Sequence, residues 1–276
     1  MGPLNLNNKI YVGAAERQSL YDLEIPEIWN GKVVVFVHGY MGFKDWGAWH
    51  LMMKHFVNEG FAFVKYNVSH NGGTIENPID FPDLGAFQRN RYSYELEDLD
   101  RLIKNVSKYF PEGQKYHLIG HSRGGGIALL YSCDQRIKAI STLAAISDIG
   151  SRFPSGTALD SYQTEGIYYR QNGRTKQNMP HLYAQYLDYL DHSGRLDIQF
   201  YCEHAKCPIQ VIHGENDSSV GIEEGELITK WLRTELIVIP KTAHTFNTSH
   251  PFSMNELPAP FESAIRQIQH FFEANG

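Results

Sequence analysis

The stretch that decides the fold is YHLIGHSRGGGIALL, at residues 116–130. Apolar residues lie on both sides of the motif GHSRG at 120–124, and this order predicts a β-strand, a sharp turn and a helix. A serine at the centre of G-x-S-x-G occupies a strained turn that leaves no room for Cβ atoms two residues away on either side. Gly120 and Gly124 meet that requirement, so Ser122 is the candidate nucleophile.

Candidate partners for this serine follow two later strands, in the chain order nucleophile, acid, base that the motif requires. Ile209–Ile212 is predicted to be a buried strand that ends in a polar turn with Asp217. Leu236–Ile239 is a second such strand, and its loop carries His244. Upstream, Val33–Val37 runs into a His-Gly loop, where a backbone N–H is expected to face the substrate oxygen.

These motifs resemble those of the α/β-hydrolase superfamily, and the resemblance extends from Ile10 to Phe272. VHGYMG at 37–42, the serine followed by arginine, and GEND at 214–217 are similar to carboxylesterases. They are also similar to the catalytic domains of prolyl-oligopeptidase-type and dienelactone-hydrolase-type enzymes. The resemblance implies an α/β fold with an eight-stranded, mostly parallel sheet flanked by helices. It also implies an enzyme without a metal or organic cofactor.

The resemblance further implies a role for each site residue. Ser122 would be the nucleophile, Asp217 the acid and His244 the base, while the backbone N–H groups of Tyr40 and Arg123 would form the oxyanion hole. The chemistry requires these groups because a serine hydroxyl is a poor nucleophile until an imidazole accepts its proton. A carboxylate holds the imidazole in the required tautomer, and two N–H donors stabilise the tetrahedral oxyanion.

Other residues compete for two of these roles. Asp148 also follows a predicted strand and is the rival acid, but the strand-to-acid spacing of the superfamily favours Asp217. His250, in the same loop as the favoured base, is the rival base. His38 is expected to brace the loop that carries the oxyanion donor, and His121 is expected to fill space at the turn.

Strand candidates alternate with helical segments, as expected for a mostly parallel sheet. Helical spacing of apolar residues predicts helices over Trp46–Asn58, Tyr94–Tyr109 and Pro260–Glu273. The eight predicted strands are Ile10–Val12, Ser19–Ile25, Val33–Val37, Phe61–Tyr66, Tyr116–Ile119, Ile137–Ala144, Ile209–Ile212 and Leu236–Ile239.

Residues 148–203, between the sixth and seventh predicted strands, show no strand signal and contain seven of the sixteen tyrosines. Because α/β-hydrolases insert helices at this point, the segment is predicted to be a helical cap within a single domain of residues 1–276. A helix over His181–His192 would place Tyr186 and Tyr189 on one face. We expect these two rings to line the substrate pocket, and packing onto the domain is the alternative.

Composition limits the class of protein. A net charge of −6 argues against a nucleic-acid partner, and no apolar stretch approaches the roughly 20 residues of a membrane span. The three cysteines form no even framework, so reduced thiols are expected. The first eight residues lack the basic and apolar regions of a signal peptide, so a cytoplasmic location is expected.

The sequence therefore predicts a serine hydrolase that cleaves a small to medium carboxylic ester through an acyl-enzyme. A small-molecule ester, with an acyl group from acetyl to about octanoyl, is the expected substrate. A prolyl-oligopeptidase-like peptidase and a thioesterase are alternatives within the same chemistry. A non-enzymatic binding module of this fold is disfavoured, because it would have no reason to retain Ser122, Asp217 and His244 together.

Overall fold

The computed structural model describes residues 2–276 and contains, in those residues, ten β-strands and nine α-helices. The strands are β1 (Leu4–Val12), β2 (Gln18–Ile25), β3 (Val33–Val37), β4 (Ala62–Tyr66), β5 (Tyr116–His121), β6 (Ile137–Leu143), β7 (Ile167–Gln171), β8 (Asn178–Leu182), β9 (Ile209–Gly214) and β10 (Leu236–Ile239). The helices are α1 (Trp49–Asn58), α2 (Leu84–Arg89), α3 (Tyr92–Val106), α4 (Arg123–Leu129), α5 (Thr157–Glu165), α6 (Ala184–Asp191), α7 (Ile198–Glu203), α8 (Ile222–Leu232) and α9 (Ala259–Ala274).

Eight of the strands form one sheet in the order β1-β2-β4-β3-β5-β6-β9-β10. The strand β2 runs antiparallel to both of its neighbours, and the strands from β4 to β10 in this order are parallel to one another. The predicted eight-stranded, mostly parallel sheet is confirmed. The first strand begins at Leu4 rather than at Ile10, because its polar, exposed residues pair with β2 along the sheet edge.

Helices cover both faces of this sheet, which explains why its central strands are continuous apolar runs. In β3 all five residues are buried, and their side chains alternate between two cores. Val35 faces the core that contains α3, whereas Phe36 faces the core that contains α1 and α9. Parallel strands bring their carboxyl ends to the same sheet edge, so the loops after β3, β5, β9 and β10 meet there.

Residues 148–203, called the insertion below, lie between β6 and β9 and contain α5, the hairpin of β7 and β8, α6 and α7. The prediction that this segment lacks strands is wrong, because β7 and β8 pair antiparallel over five positions. The run IYYRQ has high β-propensity, and Asn172-Gly173 after it is a strong hairpin-turn signal. The helix predicted from His181 begins at Ala184, since the preceding residues belong to the hairpin.

None of the helices in residues 2–276 is long and apolar enough to span a bilayer.

Candidate active site

Ser122 lies in the turn between β5 and α4, and its backbone is strained. Its φ of 56° and ψ of −120° are unfavourable for a residue with a Cβ atom. The turn is held by backbone hydrogen bonds: the N–H of Ser122 donates to the carbonyl of Leu143 at 2.9 Å, and the N–H of Gly125 donates to the carbonyl of Ser122 at 2.9 Å. The serine is therefore fixed at the carboxyl end of the sheet by the chain itself.

The glycines of the motif are required by close backbone contacts. A Cβ atom on Gly120 would lie 2.3 Å from the carbonyl oxygen of Gly124. One on Gly124 would lie 2.2 Å from the carbonyl oxygen of Val37. Both distances are far shorter than van der Waals contact, so the turn forms only when these two side chains are absent.

Asp217 and His244 lie together beside this turn. The Nδ1–H of His244 donates to Oδ2 of Asp217 at 2.7 Å, and the aspartate side chain is fully buried. The other carboxylate oxygen accepts the backbone N–H groups of Ser219 at 2.8 Å and Val220 at 3.0 Å. The carboxylate therefore holds the imidazole in the tautomer whose Nε2 can accept a proton.

A further histidine supports the carboxylate, and the sequence argument did not identify it. Nε2 of His213 lies 3.4 Å from Oδ2 of Asp217 and donates to the carbonyl of Val220 at 2.9 Å. Burial opposes ionisation of Asp217, but the adjacent His213 and the hydrogen-bonded His244 outweigh it and hold the pKa of Asp217 well below its usual range. The carboxylate is thus charged across the whole range in which a histidine titrates.

Ser122 and His244 line one cavity of about 350 Å³. The side chains of Ser122 and His244 are not hydrogen-bonded to each other in the structure. Such contacts are often long without a bound substrate and shorten when it binds. The structure thus places the candidate nucleophile and base on the wall of one cavity, with the candidate acid buried behind the base.

The rival acid and base lie elsewhere. The carboxylate of Asp148 accepts the N–H groups of Gly150 and Ser151, both at 2.9 Å, and caps an exposed turn. Nδ1 of His250 accepts the N–H of Gly47 at 3.1 Å. Neither Asp148 nor His250 lines the cavity that contains Ser122.

The backbone N–H groups of Tyr40 and Arg123 have no protein acceptor among residues 2–276. The loop that carries Tyr40, called the oxyanion loop below (residues 38–42), abuts the serine. A Cβ atom on Gly39 would lie 3.0 Å from Cβ of Ser122. Both free donors thus lie beside the candidate nucleophile: Arg123 follows Ser122 in the chain, and Tyr40 belongs to the loop that abuts it.

Two buried histidines hold the surrounding loops. In the oxyanion loop, Nδ1–H of His38 donates to the carbonyl of Gly39 at 2.9 Å, and its Nε2 accepts the N–H of Val68 at 3.1 Å. Nε2–H of His121 donates to the carbonyl of His244 at 3.0 Å. Burial lowers the pKa of His38 to about 4 and that of His121 to about 3, so both stay neutral at pH 7.

The wall of the cavity differs from the one expected. Tyr186 and Tyr189 do not line it, so the prediction that they form the substrate pocket is wrong for this cavity. Their rings pack instead on Phe153, with centroids 5.2 Å and 5.4 Å from it. The physical reason is that the hairpin of the insertion, rather than α6, reaches the sheet edge.

The cavity is formed by three parts of the chain. Aromatic and thioether side chains come from the segment after β3, polar residues come from the hairpin turn, and the rest surround the serine and the histidine. The residues at the hairpin turn were missed, although Asn172-Gly173 marks the turn. The lining residues are Gly39, Tyr40, Met41, Gly42, Trp46, Trp49, His121, Ser122, Asn172, Gly173, Arg174, Ser219, His244 and Thr245. No group of three His, Cys, Asp or Glu side chains in residues 2–276 is arranged to hold a metal ion.

A family model described as α/β hydrolase fold matches residues 32–171, just over half of the chain. The chain belongs to this family. The match covers the oxyanion loop, the turn at Ser122 and the insertion up to the end of β7.

Individual relatives agree with the family. A lipase of Staphylococcus epidermidis is 26% identical over 115 residues, which cover 35% of this chain but only 16% of the lipase. Est1E of Butyrivibrio proteoclasticus, solved with bound ferulic acid, superposes with a TM-score of 0.71 at 15% identity, covering 97% of this chain and 99% of Est1E. A soluble variant of monoglyceride lipase from Saccharomyces cerevisiae also gives 0.71 at 15% identity, covering 98% and 95%.

Proposed function

We propose that this protein is a serine esterase that hydrolyses small to medium carboxylic esters. The observation that carries the proposal is that His244, paired with the buried Asp217 at 2.7 Å, lines the same cavity as Ser122. Serine, histidine and aspartate in this chain order and arrangement are the groups that acyl transfer requires.

In the proposed reaction, Oγ of Ser122 attacks the acyl carbon of the ester while its proton passes to Nε2 of His244. The carbon–oxygen π bond opens to an oxyanion. The carbonyl then re-forms as the bond to the alcohol oxygen breaks, the imidazolium gives its proton to that oxygen, and the acyl group stays on Ser122. Water attacks this acyl-enzyme with His244 again as the base, which releases the acid and restores the serine.

Two groups lower the barrier to these steps. The carboxylate of Asp217 stabilises the imidazolium and keeps the ring oriented. The N–H groups of Tyr40 and Arg123 donate to the oxyanion, and each such donor is worth about 3 to 4 kcal/mol in hydrolases where one was removed.

The cavity supports the proposed size of the substrate. At about 350 Å³ it is at the small end of the range for ligand pockets, and Met41, Trp46 and Trp49 give it an apolar wall. One methylene in an apolar pocket is worth roughly 1 to 3 kcal/mol, so selectivity between acetyl and octanoyl esters is graded.

The insertion is proposed to act as a cap within a single domain. Supporting this, Asn172, Gly173 and Arg174 at its hairpin turn line the same cavity as Ser122. A substrate at the serine would contact these residues.

The proposal is tested by labelling the protein with a fluorophosphonate and assaying a panel of p-nitrophenyl esters and aminoacyl anilides. Labelling and ester turnover are expected for the wild type, and Ser122→Ala abolishes both while the thermal unfolding midpoint is retained, because only the nucleophile is lost. Labelling that persists in Ser122→Ala contradicts the assignment. Efficient anilide cleavage without esterase activity replaces the esterase with a peptidase.

A further inference from the structure

The side chain of Arg123 lies buried between two aromatic rings. Its guanidinium carbon is 4.3 Å from the ring centroid of Tyr40 and 4.7 Å from that of Tyr92. Its Nη1 lies 3.1 Å from Oε1 of Glu95, and the two charged side chains are only 15% and 5% exposed. Burial works against the charge on Arg123, but Tyr92 and Glu95 raise its pKa above the usual range, so the cation persists over Tyr40.

The hydroxyl of the same tyrosine is held by the insertion. Nε2 of His181 accepts the O–H of Tyr40 at 2.8 Å, while its Nδ1–H donates to the carbonyl of Met179 at 3.0 Å. The imidazole ring also stacks on Tyr168, with centroids 4.5 Å apart and an interplanar angle of 17°. The acceptor for Tyr40 is therefore oriented by two further contacts within the hairpin of the insertion.

The peptide group between Gly39 and Tyr40 is held at its carbonyl, which accepts the Nδ1–H of His38 at 2.9 Å and the N–H of Gly42 at 3.0 Å. Glycines lie at 39 and 42, and Met41 has a φ of 53°. The N–H of Tyr40 is left free. Because the peptide group is planar, those hydrogen bonds restrain its carbonyl edge, and the Tyr40 side chain restrains the Cα atom on its other side, since it is held on its ring face by Arg123 and at its hydroxyl by His181.

We propose that the Arg123 side chain and His181 are positioning residues that aim the backbone N–H of Tyr40 at the substrate oxyanion. This inference rests on the proposed function and deepens it. Arg123 then acts twice: its own N–H is one donor of the oxyanion hole, and its side chain orients the other. Through His181, the insertion sets the geometry of the oxyanion hole as well as the wall of the cavity.

The principal test removes the guanidinium and its partner charge together, as Arg123→Met with Glu95→Gln, because a buried unpaired carboxylate would destabilise the fold. The readouts are kcat and KM for p-nitrophenyl butyrate and the inhibition constant of a trifluoromethyl ketone, whose adduct with serine carries an oxyanion. We expect kcat to fall 10- to 100-fold and the inhibition constant to rise by the same factor, with KM within about twofold. A misaimed donor weakens only the species that carry the oxyanion charge.

Two comparisons separate positioning from packing. Arg136→Met removes another paired guanidinium, 2.5 Å from Asp134 and away from the cavity, and leaves kcat and the inhibition constant unchanged. Tyr40→Ala alone reproduces the loss, and adding the Arg123→Met and Glu95→Gln changes to it costs no further activity, because both act through one ring. Additive losses overturn the inference, and so do a wild-type kcat and inhibition constant in the first variant.

Tyr40→Phe provides the test if the charge-pair variant does not fold. It deletes only the hydrogen bond to His181 and keeps the ring under Arg123, so kcat is expected to fall about 3- to 10-fold with KM unchanged. Unchanged kcat overturns the role of His181. If the wild type fails to label with fluorophosphonate, the proposed function itself fails; if it labels and these variants do not differ from it, only the positioning inference fails.

Discussion

The turn at Ser122 and the hairpin turn of the insertion line one cavity, but they are held in different ways. The serine turn is fixed by backbone hydrogen bonds and by glycine contacts below 3 Å. The hairpin turn is closed by its own backbone hydrogen bonds, from Asn172 to Gln177 at 2.8 Å and from Lys176 to Asn172 at 3.0 Å, but side chains hold it against the rest of the molecule. Arg174 pairs with Asp80, and these groups are 31% and 40% exposed. Asn172 adds a weak contact from its Nδ2 to the sulfur of Met41 at 3.4 Å.

This difference separates two kinds of role. Groups held by backbone contacts cannot move without a change of fold, which suits residues that must meet a transition state closely. Groups held by partly exposed side chains can be exchanged at little cost in stability, which suits the choice of substrate. Variants in each region should therefore differ in what they change and by how much.

The largest expected effect lies at the sheet edge. Asp217→Asn leaves the imidazole in the wrong tautomer and is expected to lower kcat on the order of 10⁴-fold, as in the serine-protease case. Asp148→Asn, at the start of the insertion, is expected to change kcat less than threefold because its carboxylate only caps a turn. Steady-state ester kinetics on the two variants measure both effects, and a reversal of the two losses would move the acid to Asp148.

The close backbone contacts at the serine turn predict the next largest effect, which is on stability. In Gly124→Ala the new Cβ atom meets the carbonyl of Val37, and the free energy of unfolding is expected to fall by about 3 kcal/mol. Gly194→Ala, in the insertion, meets no atom within 4 Å and is expected to change it by less than about 0.5 kcal/mol. Urea denaturation measures both; equal losses would contradict the contrast between the two regions.

Buried histidines make the stability of the sheet edge dependent on pH. The pKa of His38 is lowered by burial to about 4, so between pH 6.5 and 4 the unfolded chain binds a proton there and the folded protein does not. The free energy of unfolding therefore decreases as pH falls through this range, by up to about 1.4 kcal/mol per pH unit from this residue. His38→Gln removes that part of the slope, whereas His270→Gln, at an exposed position on α9, does not. Urea denaturation between pH 4.5 and 7 tests this, and an unchanged slope in His38→Gln would contradict it.

The smallest expected effect lies in the insertion. Arg174 is the charged side chain on the cavity wall, so Arg174→Gln is expected to lower kcat/KM for p-nitrophenyl hemisuccinate about tenfold relative to p-nitrophenyl butyrate. Arg170→Gln removes the same charge from the same hairpin without touching the cavity and leaves the ratio within about twofold. Equal shifts in the two variants would show a general charge effect rather than contact.

Much of the fold was predictable because its signals are local. Apolar runs, glycines around Ser122 and helical spacing each depend on residues within one strand, turn or helix. The same approach missed the hairpin β7–β8 although its Asn-Gly turn signal was present, because a high content of tyrosine is equally typical of helices that pack on a core. It also placed Tyr186 and Tyr189 at the cavity, since helical spacing indicates a shared face and not the neighbour that this face meets.

The sequence by itself determined the strand order along the chain, the strained serine turn and the candidates Asp217 and His244, because short-range sterics and hydrophobic periodicity act between residues close in the chain. Only the tertiary structure decided that Tyr40 meets His181, 141 residues away, and that Asp80 meets Arg174, 94 residues away. Such contacts depend on how the insertion folds back over the sheet edge. That packing is the sum of many weak interactions between distant segments, and no local pattern records it.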